Sequence, residues 1–226
     1  MCKKTGIVRA LHIVHNAVMR TFIVFEGIDG AGKGTQIRLL EKHLRKAGRR
    51  FSFISSPRYK TPTGKLVRRA LLGEFGDFVG LNGYLSAVPY LLDFAAGRDA
   101  TVAALKKGMV VSDRYVFSTS AYHAAKLPAK ERKAFLSLVD EIMYRVFRLP
   151  KPDLILYFDV PVTQAQKNMR GKRKDQHEKS VAYQKRVAEV YRQLAKQKGW
   201  KLIPCTKNGK MRSPEEIHEM VWKAVQ

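Results

Sequence analysis

One stretch of the chain, residues 22–36, most limits what the sequence can fold into. It reads FIVFEGIDGAGKGTQ: an apolar run typical of a buried parallel strand, then a glycine-rich loop, then a segment with helical periodicity. The G-x-x-x-x-G-K spacing from Gly27 to Lys33 is that of a phosphate-binding loop, whose glycines let backbone N–H groups approach phosphate oxygens. The start of the following helix adds partial positive charge, and Lys33 adds a full one. The stretch therefore predicts a phosphate site at the end of a core strand.

The residue after Lys33 departs from the usual motif. A Ser or Thr at this position commonly helps to hold Mg²⁺, but the chain has Gly34 there and its hydroxyl one residue later, at Thr35. We therefore expect Thr35 to contact Mg²⁺ through water.

Length and composition indicate one large folded domain. The chain has 226 residues, 45% of them hydrophobic, which argues against disorder. No apolar run approaches the roughly 18 residues that a membrane helix needs. The two cysteines, Cys2 and Cys205, form neither a metal-binding spacing nor a disulfide framework, so we expect a reducing, cytoplasmic setting and no membrane partner.

The net charge of +24 can be read in two ways. It favours polyanionic partners such as nucleic acid, or it reflects a solvated basic surface around a phosphate site. The basic residues are scattered, and no zinc-finger spacing or RNA-recognition signature is present. We therefore favour the second interpretation and expect no nucleic-acid partner.

Residues 1–18 are interpreted as an N-terminal extension. Residues 1–20 contain four Lys and Arg and no acidic residue, which suits either a targeting segment or an extension from an upstream start codon. We prefer the extension, because Met19 lies just before the first strand, and we expect residues 1–18 to be dispensable. The predicted single domain is 19–226.

Five short strands alternate with helices along this domain. This order predicts an α/β fold with a five-stranded parallel sheet and helices on both faces. A helix is predicted over residues 84–107 and another over 130–148. The dense basic loop at about 170–178 is interpreted as a short lid. The predicted strands are 22–25, 50–55, 109–112, 154–158 and 200–204.

Two charged residues follow predicted strands at the edge where parallel sheets bind ligands. Arg58 follows the second strand and suits a substrate anion. Asp113 ends the third strand beside the phosphate loop and is a metal-site candidate, although a helix cap would also explain it.

From about residue 21 onwards, the chain resembles the thymidylate kinases of the nucleoside monophosphate kinase family. The resemblance is carried by FEGIDGAGKGTQ, Pro57-Arg58-Tyr59, Asp113-Arg114-Tyr115, Lys151-Pro152-Asp153 and the loop ending in residues 174–178. It implies the P-loop kinase fold, transfer of the ATP γ-phosphate to dTMP in dTTP synthesis, Mg²⁺ as cofactor, and a homodimer.

The resemblance also implies roles for individual residues. Asp113 would organise Mg²⁺, and Arg114 would bridge the phosphates of the two substrates. For the base-stacking aromatic two registers fit: Phe94 with Arg98, which we prefer, or Tyr90 with Phe94. The implied ATP-binding residues are Gly27, Gly30, Ala31, Gly32, Lys33, Gly34 and Thr35, and the implied dTMP-binding residues are Asp29, Arg58, Tyr90, Phe94, Arg98 and Arg114.

The source of the catalytic positive charge is a separate question. Some family members carry an arginine at the position of Gly30, which cannot supply charge. We expect Arg170 or Arg173 of the predicted lid to act like an arginine finger, with Arg114 as the next candidate. The residues also leave open a kinase for another nucleoside monophosphate, or a non-catalytic P-loop module that binds nucleotide or nucleic acid.

Overall fold

The computed structural model describes residues 22–171, 177 and 180–226. Within them, five parallel strands form one sheet in the order β2-β3-β1-β4-β5. These strands are β1 (Phe22–Glu26), β2 (Phe51–Ser55), β3 (Met109–Asp113), β4 (Leu154–Asp159) and β5 (Lys201–Pro204). The predicted five-stranded parallel sheet is thus confirmed.

Helices connect the strands and cover the sheet. The helices are α1 (Lys33–Lys46), α2 (Pro62–Leu71), α3 (Gly83–Lys107), α4 (Val116–Ala124), α5 (Ala129–Asp140), α6 (Val162–Asn168), α7 (Val181–Gln197) and α8 (Pro214–Val225). Only the connection from β1 to β2 runs toward the β2 edge of the sheet, and the other three connections run toward the β5 edge. Because crossovers between parallel strands are right-handed, α1 lies on one face and α3, α4 and α7 lie on the other. The contacts agree: α1 packs against α8, while α4 packs against α3 and α7.

Strand β1 is the centre of the core. All five of its residues are buried, and it pairs with β3 on one side and β4 on the other. Phe25 pairs in register with Asp113, so the loops that follow β1 and β3 leave the sheet side by side. This edge is where parallel sheets bind their ligands.

One predicted helix is wrong in its bounds, and helices α2 and α3 each accommodate a proline. The predicted helix over 130–148 is divided into α5 and a π-helical turn, Glu141–Val146. The segment at Thr61 is a helix start, because the Thr61 hydroxyl accepts the Gly64 N–H and Pro62 occupies the first turn. Helix α3 continues through Pro89.

The structure adds a small hairpin that was not predicted. Strands β6 (Thr206–Lys207) and β7 (Lys210–Met211) pair in antiparallel fashion around Asn208 and Gly209, both of which have positive φ. This two-residue turn is typical of such hairpins.

Two predictions fall largely outside the described residues. The extension at 1–18 lies wholly outside them, and of the predicted lid only Arg170, Gly171 and His177 lie inside. Both therefore stay predictions. Among the described residues, no helix combines the length and apolar character needed to cross a bilayer.

Candidate active site

The loop between β1 and α1 needs glycine for two reasons. Gly27, Gly30 and Gly32 have φ of 146°, 81° and 91°, which L side chains rarely adopt. A Cβ on Gly30 would also lie 2.2 Å from the Ala165 carbonyl oxygen. The loop is thus packed directly against α6, where Asn168 Nδ2 donates to the Gly30 carbonyl at 2.8 Å.

Lys33, the first residue of α1, is folded back into this loop. Its Nζ donates to the carbonyls of Gly27 and Ile28, each at 3.0 Å. Burial and the nearby charge of Arg114 lower the pKa of Lys33 to about 8, although Asp29 and Asp113 oppose the shift. The loop therefore contains a titratable cation close to neutral pH.

A cleft opens over this loop, and we call it the donor cleft because residues expected to bind the phosphoryl donor, ATP, line it. It is lined by six of the seven residues expected to bind ATP, Gly30 to Thr35, while Gly27 lies behind the loop and accepts hydrogen bonds from Lys33 and Arg114. The far wall was not predicted: it comes from the β6–β7 hairpin and the start of α8, including Arg212 and Pro214. Gln36 ties the two walls by donating from Nε2 to the Pro214 carbonyl at 2.8 Å.

A second cleft lies on the other side of the loop, and we call it the acceptor cleft because residues expected to bind the phosphoryl acceptor, dTMP, line it. Tyr90 and Phe94 of α3 both line it. Phe94 packs edge-on against Tyr115, with ring centroids 5.3 Å apart, and Tyr90 packs against His123 at 4.9 Å. Both expected aromatics thus face this cleft.

Arg114 lies at the junction of the two clefts, and it lines both, as does Asp29. Its φ is 65°, in the sparsely populated left-handed region where functional residues concentrate. Its guanidinium pairs with the Asp29 carboxylate, donates to the Gly27 carbonyl at 3.0 Å, and lies over the Tyr122 ring with Cζ 5.3 Å from the centroid.

Asp29 is held as an anion at this junction. Burial alone would raise its pKa, but the charges of Arg114 and Lys33 outweigh burial and hold the pKa at about 2. The Tyr122 hydroxyl donates to its other carboxylate oxygen at 2.5 Å. The cation and anion therefore position each other.

A buried carboxylate that was not predicted, Glu26, lies beneath Arg114. Glu26, the last residue of β1, is fully buried and accepts hydrogen bonds from the Tyr115 N–H, the Ser118 hydroxyl and the Tyr191 hydroxyl at 2.8, 2.6 and 2.9 Å. Burial raises its pKa, although these hydrogen bonds and the charge of Arg114 act in the opposite direction. Ser118 and Tyr191 also accept hydrogen bonds from Arg114, so Glu26 orients the arginine through them.

The carboxylate of Asp113 suits a position beside a hydrated cation. It lines the donor cleft, and its Oδ1 is buried without a hydrogen-bond partner among the described residues. No group of three or more His, Cys, Asp or Glu side chains able to hold a metal occurs in the described part of the chain. A site with one or two carboxylates, completed by water and substrate phosphates, suits Mg²⁺.

Two residues expected to bind dTMP, Arg58 and Arg98, are not among the residues that line the acceptor cleft. The Arg58 guanidinium lies against α3, donating to the Asp93 carbonyl at 2.6 Å and pairing with the Asp93 carboxylate at 3.2 Å. The close approach is possible because residue 97 is glycine: a Cβ there would be 2.6 Å from Arg58 Cζ. Arg98 instead donates to the Arg148 carbonyl and pairs with Asp99, so the preferred pair Phe94–Arg98 lacks its arginine at the cleft.

Of the two lid arginines, only Arg170 lies within the described residues. Arg170 is exposed in the turn after α6 and does not line either cleft as described, and Arg173 lies outside the described residues. Of the arginines considered for catalysis, the structure places Arg114 at the junction.

Comparisons with known proteins support the resemblance to thymidylate kinases. The family model for thymidylate kinase matches residues 25–220. A thymidylate kinase of Mycobacterium tuberculosis (strain CDC 1551 / Oshkosh) is 35% identical over 188 residues, covering 79% of this chain and 86% of the relative. One from Rhodopseudomonas palustris (strain ATCC BAA-98 / CGA009) is 33% identical over 223 residues, covering 94% and 91%.

A solved structure extends the comparison to the fold. The thymidylate kinase of Candida albicans superposes with a TM-score of 0.72 at 22% identity, covering 91% of this chain and 90% of that one. The family match begins at Phe25, near the end of β1, and spans the phosphate loop, α1 and the residues that line both clefts. The chain therefore belongs to the thymidylate kinase family.

Proposed function

We propose that the donor cleft binds ATP and the acceptor cleft binds dTMP, so that the γ-phosphate passes between them and gives dTDP and ADP. The observation that carries this assignment is the pair Asp29 and Arg114, which line both clefts. A group transferred between two bound nucleotides must cross such a junction.

In this proposal the charged residues have separate roles. The loop N–H groups and Lys33 bind the ATP phosphates. Arg114 compensates the charge that develops on the transferred phosphoryl group, and Asp29 holds Arg114 in place toward the acceptor. Phosphoryl transfer needs no covalent protein intermediate, because positioning and electrostatic stabilisation provide the catalysis.

Mg²⁺ is the cofactor in this proposal. Asp113 would hold it through its unpartnered oxygen and Thr35 through water, and both residues line the donor cleft. The ion would neutralise phosphate charge, as it does in related phosphoryl transfers.

The acceptor preference tests the proposed function. With ATP as donor, we expect the highest kcat/KM for dTMP, and discrimination against dUMP of about 10- to 200-fold, because one methyl group separates the two. A coupled assay of ADP release with dTMP, dUMP, UMP, CMP and AMP measures this order. A higher kcat/KM for AMP or CMP contradicts the assignment, and nucleotide binding without turnover identifies a non-catalytic module.

The charge of Lys33 predicts proton uptake on ATP binding. Phosphate oxygens favour the protonated lysine and raise its pKa above the free-protein value of about 8. At pH 8 about half of the free lysines are neutral, so binding should take up about half a proton, and affinity should fall as the pH rises further. Calorimetry in two buffers of different ionisation enthalpy measures this uptake. Lys33→Arg should abolish it, and equal uptake by both proteins refutes the prediction.

We propose a homodimer formed through α3. Leu85, Val88 and Leu92 recur on one face of this helix and are 61%, 53% and 48% exposed, which is typical of an interface stripe. Light scattering should give about twice the chain mass of 25.7 kDa. Leu85→Glu with Val88→Glu should give the monomer mass, whereas Val146→Glu, an equally exposed position elsewhere, should not. A monomeric wild type contradicts the proposal.

We also propose a cytoplasmic location, supported by the buried, unpaired Cys205. The net charge of +24 is assigned to phosphate-bearing substrates and a solvated surface, without a nucleic-acid partner.

A further inference from the structure

Two histidines in the acceptor cleft are not used by the mechanism above. His123 of α4 is fully buried and His177 is 4% exposed, and both line the cleft beside Tyr90. In each imidazole, Nε2 is buried without a hydrogen-bond partner among the described residues. Buried polar atoms are nearly always paired, so two unpaired nitrogens in one cleft indicate a missing ligand group.

The neighbours of His123 fix which of its nitrogens carries the proton. Its Nδ1 lies 2.8 Å from the Ser86 hydroxyl, and that hydroxyl donates to the Gly83 carbonyl at 3.3 Å. Because the serine has one proton, both hydrogen bonds form together only if Nδ1–H donates to Ser86. Nε2 is then a bare acceptor.

The surroundings keep His123 neutral. Burial, and secondarily the charge of Lys126, hold the pKa of His123 well below its usual value. The Lys126 ammonium donates to the Phe78 carbonyl at 2.5 Å. Nε2 thus remains an acceptor at physiological pH.

We infer that His123 Nε2 accepts a hydrogen bond from the ring N–H of the acceptor base and selects pyrimidines that carry this donor. Thymine and uracil have an N–H between two carbonyl groups, whereas cytosine has a bare ring nitrogen there. Cytosine would set one acceptor against another and leave both unpaired, which a buried site rejects strongly.

His177 completes the wall against the base edge. Its ring stacks between Phe78 and Tyr122, with centroids 5.7 and 5.4 Å away, and lies 6.1 Å from the His123 ring. The aromatic neighbours hold it in place and exclude water, which strengthens the hydrogen bond at His123.

The test compares dTMP with dCMP, and it rests on the proposed dTMP kinase function. His123→Asn offers an amide that can donate as well as accept, so the kcat/KM ratio of dTMP to dCMP should fall at least 10-fold. Ser86→Ala frees the imidazole to move its proton to Nε2, so it should raise the KM for dTMP about 10-fold while leaving the KM for ATP unchanged. His218→Phe, at an imidazole on α8 that is not among the residues lining either cleft, is the control and should leave the ratio unchanged.

The outcomes separate this inference from the function itself. Wild-type protein that does not phosphorylate dTMP contradicts the proposed function. An active wild type whose folded His123→Asn and Ser86→Ala variants keep the wild-type ratio and KM overturns the role of His123. If thermal melting shows that His123→Asn is unfolded, Ser86→Ala decides alone, because it removes only one hydroxyl.

Discussion

Replacing Arg114 with alanine is expected to lower kcat by about 10³- to 10⁵-fold, the range found for arginines that stabilise a transferring phosphoryl group. Arg114 lines both clefts, and its guanidinium is fixed by Asp29, Gly27 and the hydroxyls above Glu26. Because the contact strengthens in the transition state, KM values should change less than kcat. Steady-state assays with each substrate varied measure this.

The experiment must distinguish a loss of catalysis from a loss of folded protein. Removing Arg114 leaves the partly buried Asp29 carboxylate without its cationic partner, which is itself destabilising. Arg114→Lys keeps the charge but loses the planar fork, so it should fold well and recover little activity. Arg192→Ala removes a half-exposed arginine paired with Asp159 and should keep wild-type kcat. Wild-type turnover by Arg114→Ala would show that the catalytic cation lies elsewhere, with Arg170 and Arg173 to be tested next.

Alanine substitutions in the phosphate loop should differ in sign from one glycine to the next. At Gly30 the added Cβ collides with the Ala165 carbonyl, which costs about 1–3 kcal/mol. The left-handed backbone there, with φ of 81°, adds about 1–2 kcal/mol. Gly30→Ala should therefore strongly lower the free energy of unfolding and misplace the phosphate-binding N–H groups.

Two neighbouring glycines provide matched controls. Gly32 has φ of 91° but open space around it, so Gly32→Ala should show only the backbone cost of about 1–2 kcal/mol. Gly34 has open space and an ordinary φ inside α1, so Gly34→Ala should raise stability by about 0.4–1 kcal/mol. Thermal melting without nucleotide resolves these differences, at about 2–4 °C per kcal/mol. Equal shifts at Gly30 and Gly34 would contradict the packing of the loop on α6.

The sheet and the phosphate loop were predictable because their signals are local. An apolar run, a glycine spacing and a helical period each lie within a few residues, and β1, the loop and α1 follow them. The hairpin at 206–211 also has a local signal, because Asn-Gly, here Asn208-Gly209, is typical of a two-residue hairpin turn.

The other features of the candidate site could not be predicted, because they depend on contacts between residues that are distant in sequence. Arg58 was expected to face a substrate, but its partner Asp93 is 35 positions away and sequence gives no measure of their distance. The role of Glu26 could not be predicted, because its partners Ser118 and Tyr191 come from α4 and α7. Similarly, His123 lies on α4 and His177 precedes α7, so the two rings meet only because α4 and α7 pack together.

The central claim is that two clefts meet at Arg114, and one titration tests it most directly. A compound that joins adenosine and thymidine through five phosphates should bind one per chain and displace both ATP and dTMP, because it spans both clefts. Its affinity should exceed that of either nucleotide alone by 10²-fold or more, as linked ligands do when the geometry allows both ends to bind. Arg114→Ala should remove most of this gain. Displacement of only one of the two nucleotides would contradict the shared junction.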